Sequence, residues 1–174
     1  MNLDPAIVTI ARLAIGGLLL YAAVHKLSHM LDFRLALGAY QLVPLWAVTP
    51  MAYGFALAET GLAVACLAQV PEAFLGAFAL LAIYTAAIAV NLARGMDSID
   101  CGCGGPPQPL SFALVVRNAL LLSACVAAAS TAAVRELVWV DGLTIALGVG
   151  VLVLLYATMN QLLVSRGGLQ GAGA

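Results

Sequence analysis

Two cysteines, Cys101 and Cys103, lie one residue apart in the polar segment "DSIDCGCGGPPQPLS" between two long apolar runs. A disulfide between them would close a ring of about eleven atoms, far from the relaxed geometry of a protein disulfide. The glycines around them, Gly102 among them, give the backbone the freedom that such a ring requires. Strained, exposed disulfides are the labile or catalytic ones. Redox chemistry therefore fits this spacing best, and two unconnected thiols in a glycine-rich turn remain the alternative.

The same spacing is a poor match to a zinc site. Tetrahedral zinc sites use four ligands, with paired cysteines two to four residues apart, whereas one residue separates this pair. A Cu(I) site made of Cys101, Cys103 and either His25 or His29 stays open, because soft thiolates select Cu(I). Our prediction is a site without a metal ion.

Charged side chains interrupt the apolar runs at Arg12, Glu59 and Arg117. A charged side chain inside a membrane span costs free energy, and such a residue is therefore a candidate functional residue. At the helical rise, Glu59 and Arg117 lie roughly 15 and 10 Å from the end that bears the cysteines. We predict that these two residues form an ion pair and that Arg12 approaches Glu59 from the opposite side. The pair is either structural or part of a proton pathway through Glu59.

His25 and Lys26 end the first apolar run, where they could overhang the cysteine segment. Cationic neighbours stabilise a thiolate and lower the pKa of a cysteine, which prepares a reactive thiol. For Lys26 the alternative is an ordinary interfacial lysine whose ammonium extends to water.

The other two cysteines, Cys66 and Cys125, lie deep in their apolar runs and at similar depth. A buried cysteine usually serves as a small hydrophobic residue, so we predict that both are packing residues. A second redox pair, which would carry electrons across the membrane, is the alternative.

The composition determines the class of protein. Of the 174 residues, 64% are hydrophobic and 9% are charged, whereas a soluble domain carries about 25% charged residues. The chain is therefore an integral membrane protein. A net charge of −1 without a basic block argues against nucleic acid as a partner. The first apolar run lacks a basic segment before it and is too long for a cleaved signal peptide, so we predict that it stays as a span.

Five apolar runs approach the length of about 20 residues that a transmembrane helix needs. We predict spans at about 5–28, 49–69, 71–94, 110–133 and 141–163. The fold class is an all-α integral membrane protein, a four-helix transmembrane bundle plus a fifth transmembrane helix. The single domain covers 1–166 and a flexible tail covers 167–174. A short interfacial helix or re-entrant segment follows the first span, with Leu31, Leu35, Leu42 and Trp46 on one side and Arg34 and Gln41 directed away.

Five spans place the two termini on opposite sides of the membrane. The face with the cysteines is the more basic one, carrying Lys26, His29, Arg34, Arg94 and Arg166. The positive-inside rule alone would put that face in the cytoplasm. An oxidising disulfide, however, belongs where thiols are not kept reduced. We therefore predict that the cysteine loop lies on the extracytoplasmic side of the cell (inner) membrane and that the N-terminus is cytoplasmic.

The stretches "YAAVHKLSHMLDF", "ALAETGLAV", "RGMDSIDCGCGG" and "LVVRNALLL" occur in this order along the chain. Together they resemble the MauE family of methylamine utilisation proteins and the broader DoxX-like group of membrane proteins. The matching motifs are His25-Lys26-Leu27, Glu59, Cys101-Gly102-Cys103-Gly104 and Arg117-Asn118.

The resemblance implies a role in maturing a disulfide-rich periplasmic client, the small subunit of methylamine dehydrogenase, together with a thioredoxin-like partner protein. A redox cysteine pair leading into the fourth helix is also similar to quinone-linked, disulfide-generating membrane proteins. That similarity makes a quinone a candidate electron acceptor.

We interpret the chain as a membrane thiol–disulfide oxidoreductase or disulfide-maturation factor. Cys101 and Cys103 would exchange disulfides, Glu59 would carry protons, and His25, Lys26 and Arg117 would tune the thiols or relay protons. The alternatives are a non-catalytic membrane scaffold or transport helper for a thioredoxin-like partner, and a Cu(I)-binding membrane protein.

Overall fold

The computed structural model describes residues 3–102 and 108–171, with side chains as far as residue 165. Within these ranges the chain forms six helices: α1 (Pro5–Ser28), α2 (Met30–Ala39), α3 (Leu45–Leu67), α4 (Pro71–Ala93), α5 (Phe112–Ala129) and α6 (Trp139–Gly171). All except α2 are long and apolar enough to cross a membrane. The predicted all-α membrane fold, with five spans and a short helix after the first, is confirmed.

Prolines and one cap define where two of the helices begin. The Asp4 carboxylate accepts a hydrogen bond from the Ala6 N–H at 2.8 Å, and Pro5 occupies the first position of α1, where its missing N–H costs nothing. Pro71 begins α4 in the same way. Helix α3 begins at Leu45, earlier than the predicted residue 49, and accommodates Pro50 in its second turn.

The helices pack most tightly in the half of the bundle away from the cysteines. Small residues let them approach: a Cβ on Gly16 of α1 would lie 2.9 Å from Leu67 of α3, and a Cβ on Gly76 of α4 would lie 2.6 Å from Leu62. Helices in lipid associate through such close packing. Phe74, which has no exposed surface, lies at the centre of this core.

Helix α6 lies outside the bundle of the other four spans. None of the residues in its most apolar stretch is buried, and it packs against α1 where Gly148 meets Ile10. It continues beyond the predicted end at residue 163. Residues 167–171, predicted as part of a flexible tail, are helical, and 172–174 lie outside the described residues.

Helix α2 follows α1 directly and covers the cysteine end of the bundle. Phe33 and Ala36 are buried against the other helices, whereas Leu31 and Leu35 are each 64% exposed. One face of α2 therefore packs on the protein, and the opposite face exposes the apolar side chains of Leu31 and Leu35.

Candidate functional site

The cysteine segment is closed at its base by a short antiparallel bridge. The Cys101 N–H donates to the Gln108 carbonyl at 2.9 Å, and the Leu110 N–H donates to the Ile99 carbonyl at 3.1 Å. The Asp100 carboxylate accepts a further bond from the Gln108 N–H at 2.9 Å. These bonds hold the start and the end of the loop together. Residues 103–107, and with them the predicted site residue Cys103, lie outside the described residues.

Cys101 is disulfide-bonded and only 7% exposed. Its carbonyl accepts a hydrogen bond of 3.0 Å from the Tyr40 hydroxyl, at the end of α2. Burial raises the pKa of Tyr40, so this hydroxyl stays protonated and remains a donor. Arg94, which directly follows α4, donates to the Tyr40 carbonyl at 3.3 Å. Gly102 follows with a φ of +66° and packs on Ala36, where a Cβ would approach to 3.2 Å.

The buried ion pair of the bundle joins Lys26 and Glu59. The Lys26 ammonium donates to both carboxylate oxygens of Glu59, at 2.7 and 2.8 Å, and the two residues are 2% and 1% exposed. The predicted Glu59–Arg117 pair is therefore wrong, and so is the interpretation of Lys26 as an interfacial residue. Depth along a helix cannot tell which helices are neighbours. Helices α1 and α3 pack together, and the long lysine side chain extends inward from the end of α1.

Aromatic rings surround the Lys26 ammonium. The nitrogen lies 5.1 Å from the centres of the Phe33 and Tyr84 rings, within the range of cation–π attraction. The buried hydroxyl of Tyr84 lies close enough to Glu59 to interact electrostatically with its carboxylate. It nevertheless makes no hydrogen bond of ordinary geometry within the described part of the chain.

Arg117, the second buried cation, is held by neutral amides. Its guanidinium donates to the Asn160 side chain at 2.9 Å and to the Asn118 side chain at 3.2 and 3.3 Å, and its centre lies 5.8 Å from the Tyr156 ring. Among the described residues, its polar partners include no carboxylate. Sequence reasoning missed Asn160; an amide inside an otherwise apolar span was the available signal.

A chain of hydrogen bonds connects Arg117 to the cysteine segment. Asn160 accepts from Arg117 through its side chain, and its backbone carbonyl accepts from the Gln108 side chain at 3.3 Å. Gln108 in turn accepts from the Cys101 N–H. Helix α6, otherwise peripheral, thus contributes the residue that connects the buried cation to Cys101.

The remaining predicted residues occupy different places. His25 is half-buried at the end of α1, stacks on His29 with 4.6 Å between ring centres, and lies within electrostatic reach of Asp100. Arg12 does not meet Glu59 as predicted. Its Nε donates to the Ala128 carbonyl at 2.9 Å, because a carbonyl in the last turn of α5 has no partner within its own helix.

A cavity of about 180 Å³ lies between α2, α3, α4 and the cysteine segment. Its wall includes Cys101 and Gly102 as well as Lys26 and Tyr84. The rest is mainly apolar and aromatic: Phe33, Ala36, Leu37, Tyr40, Leu42, Met51, Phe55, Ile83, Ala87 and Ile88. One cavity therefore adjoins both the oxidised cysteine and the buried ion pair.

Comparison with known proteins places this arrangement in a family. The family described as methylamine utilisation protein MauE matches residues 4–131, which include Lys26, Glu59, Cys101 and Arg117. The chain belongs to the MauE family.

Three MauE relatives show how far the similarity extends. The protein of Paracoccus denitrificans is 33% identical over 74% of this chain and 71% of its own length. That of Methylorubrum extorquens is 36% identical over 67% of this chain and 64% of its own length. That of Paracoccus versutus is 38% identical over 91% of this chain and 88% of its own length. All three carry the name methylamine utilization protein MauE. No solved structure matches the chain.

The MauE match ends before α6, so Asn160 and its bond to Arg117 lie outside the stretch that the family model covers. Cys66 and Cys125 lie within it, and both are buried free thiols in one apolar core cluster, as predicted for packing residues. In residues 3–102 and 108–171, no three His, Cys, Asp or Glu side chains come together as metal ligands.

Proposed function

We propose that this MauE-family protein is a membrane thiol–disulfide oxidoreductase whose exchanging pair is Cys101 and Cys103. The observation that carries the proposal is the state of the cysteines: Cys101 is disulfide-bonded, whereas Cys66 and Cys125 are free thiols. Cys101 also adjoins a cavity that contains a buried ammonium.

The exchange runs through two successive thiolate attacks, the first of them on the Cys103 sulfur. A client thiolate attacks the Cys103 sulfur, which forms a mixed disulfide and releases Cys101 as thiolate. A second client thiolate then attacks the client sulfur of that mixed disulfide and releases Cys103. The client loses two electrons and gains a disulfide, and the Cys101–Cys103 pair becomes a dithiol. We assign the first contact to Cys103 because Cys101 is only 7% exposed.

Four predicted residues support this exchange in the proposal. Lys26 lines the same cavity as Cys101, and an ammonium nearby favours the thiolate that leaves. Glu59 balances Lys26 and, together with it, relays protons. Arg117 acts through Asn160 and Gln108, which fix the Cys101 backbone. His25, near Asp100, is proposed as a proton relay at the membrane surface.

The relatives' name refers to methylamine utilization. On that basis we propose a disulfide-rich periplasmic client, the small subunit of methylamine dehydrogenase, and a thioredoxin-like protein as the exchange partner. The bilayer that holds the five spans is the cell (inner) membrane in this proposal.

The proposed orientation puts the cysteine loop on the extracytoplasmic side. Lys26 is buried and neutralised by Glu59, so it adds no free charge to that face. The positive-inside argument for the opposite orientation is correspondingly weaker. Alkaline phosphatase fused after Arg166 should be active, because it needs an oxidising compartment for its own disulfides. An inactive fusion, with a fluorescent cytoplasmic fusion at the same site, would reverse the orientation.

The test of the exchange is a trapping experiment in cells that carry the full-length protein and the thioredoxin-like partner. In the Cys101→Ser variant the Cys103 thiolate can attack the disulfide of the oxidised partner, and no neighbouring thiol is present to resolve the product. Cys103 should therefore remain in a mixed disulfide that appears as a larger, reductant-sensitive band. Cys103→Ser should trap no such complex, and Cys66→Ser serves as the matched control without effect. If the double Cys101→Ser, Cys103→Ser variant still matures the client, the protein is a scaffold and the proposal fails.

A further inference from the structure

The cavity beside Cys101 reaches the lipid. Two of its lining side chains, Leu42 and Ile83, are 43% and 53% exposed on the outer surface of the bundle. Ile83 lies ten residues before the end of α4 at Ala93, which puts it about 15 Å from that end of the helix. At that depth the surface faces the hydrocarbon of the bilayer. A molecule that enters here must therefore be soluble in lipid.

The inner wall is not suited to an acyl chain alone, because it contains hydrogen-bond donors. Two N–H groups of Lys26 bind Glu59, and an ammonium has three donors, so one remains. The Tyr84 hydroxyl lines the same cavity and makes no hydrogen bond of ordinary geometry within the described residues. A buried donor without a hydrogen-bond partner costs free energy. A ligand with carbonyl oxygens would satisfy both.

The size and the walls fit a single substituted ring. A cavity of about 150 Å³ accommodates benzene, and this one measures about 180 Å³. Phe33, Tyr40, Phe55 and Tyr84 contribute aromatic surface to it, and such rings stack favourably on a planar partner. At the end of the cavity formed by the cysteine segment lies Cys101, which is disulfide-bonded.

We propose that this cavity binds the ring of a lipid-soluble quinone, which accepts the electrons that the cysteine pair takes from its client. The inference rests on the proposed exchange function. In the step, the Cys101 and Cys103 thiols lose their two S–H bonds and one S–S bond forms. The two electrons and two protons pass to the quinone, whose two carbonyl oxygens become the hydroxyls of a quinol. Lys26 and Tyr84 hold the carbonyl oxygens.

The experiment uses the full-length protein in lipid nanodiscs and a short-chain probe, decylubiquinone. First, a reduced dithiol peptide is mixed with the protein in the absence of quinone, and loss of the Cys101 disulfide is followed by thiol alkylation. Second, the reduced protein is mixed with decylubiquinone without oxygen. We expect one quinol per protein, with return of the Cys101 disulfide.

Two tryptophan variants on α4 locate the quinone. Ile83→Trp fills the lipid-facing mouth and should slow quinone reduction by about tenfold or more, since one extra methylene in an apolar pocket already costs about tenfold. Val90→Trp is the matched control: Val90 is 46% exposed on the same helix and does not line the cavity. Both variants must elute and melt like the wild type. Equal rates for the two variants would overturn the assignment.

Azidoquinone labelling of the wild-type protein tests the quinone site without a variant that could misfold. An azidoquinone should label α3 and α4 peptides that line the cavity, among them those containing Phe55 and Tyr84, and decylubiquinone should compete. Labelling elsewhere, or none, would mean that lipid fills the cavity and would overturn the proposal. If the peptide is oxidised but the quinone does not restore the Cys101 disulfide, the quinone proposal is wrong and the oxidoreductase proposal stands. Absence of peptide exchange would reject the oxidoreductase itself.

Discussion

The two halves of the bundle are built in different ways. The half away from the cysteine segment is a close-packed apolar core around Phe74, and its two cysteines are free thiols. The half at the cysteine end contains most of the buried polar residues: Lys26, Asn91, Gln108, Arg117 and Asn118, with Glu59 reaching deepest. It also contains the cavity.

Buried polar groups cost free energy even when they are paired. A bundle that needed only stability would repeat the packing of the apolar half at both ends. The contrast fits the proposed exchange, which uses the charges and the cavity of the cysteine half, while the opposite half supplies the close-packed core.

The largest expected effect separates the two sets of cysteines. Cys101→Ser should abolish disulfide transfer to the client, because the exchanging pair loses one sulfur. The double Cys66→Ala, Cys125→Ala variant should keep it, since both side chains serve as packing. Client maturation, scored by its disulfide content, is the measurement. If the double variant is as inactive as Cys101→Ser, Cys66 and Cys125 belong to an electron pathway. The two halves of the bundle would then not differ in function as described.

The next effect concerns the buried ion pair. Lys26→Met should lower the free energy of unfolding by about 3–5 kcal/mol, because it leaves the Glu59 carboxylate buried and unpaired. Adding Glu59→Leu should recover most of that loss, as replacement of a whole buried pair by apolar residues is often neutral. Reversible unfolding in mixed micelles measures both. If the double variant is less stable than Lys26→Met, the loss in the single variant is not caused by an unpaired Glu59 carboxylate.

Arg117 should be less costly to remove than Lys26. Its hydrogen-bond partners are the neutral amides of Asn118 and Asn160, so Arg117→Met leaves no stranded charge. We expect a loss of about 1–3 kcal/mol, the desolvation cost of the amide oxygens that lose their donor.

Asn160→Leu should slow disulfide transfer as well, because Gln108 and Cys101 are positioned through Asn160. Thr158→Val on the same helix is the matched control, since the Thr158 hydroxyl bonds only to its own helix. If the Asn160→Leu variant transfers disulfides at the wild-type rate, α6 does not position Cys101 for the exchange.

The smallest effect lies at the far end, where Arg135 binds Asp4 and Asp141 on the surface. The hydrogen bond from Arg135 holds the pKa of Asp4 below its ordinary value. This stabilisation is present above the ordinary pKa and is lost as the pH falls through the lowered one. Asp4→Asn keeps the helix cap and removes the charge. We expect a small loss in melting temperature at neutral pH that disappears in acid; a loss that grows in acid would contradict this.

The fold was predictable because apolar length and proline position are local properties. The five spans, the short helix after the first and the burial of Cys66 and Cys125 all follow from the apolar runs themselves. The start of α3 was placed too late, at residue 49, whereas the helix begins at Leu45.

The partners of the charges were not predictable, because they depend on which helices touch. Depth along each span suggested an ion pair between Glu59 and Arg117. The packing of α1 on α3 instead brings Lys26 to Glu59, and these two residues form the ion pair. Asn160 illustrates the same limit: it belongs to the site only because α6 passes Arg117 and Gln108.

In the proposed function, the disulfide at Cys101 is transferred to another protein. The direct measurement mixes the purified full-length protein with one equivalent of a reduced thioredoxin-like partner, quenches with an alkylating reagent and locates every alkylated cysteine by mass spectrometry. We expect Cys101 and Cys103 to become alkylated as the partner gains one disulfide, while the modification of Cys66 and Cys125 does not change. A partner that stays reduced while Cys101 stays oxidised would contradict it.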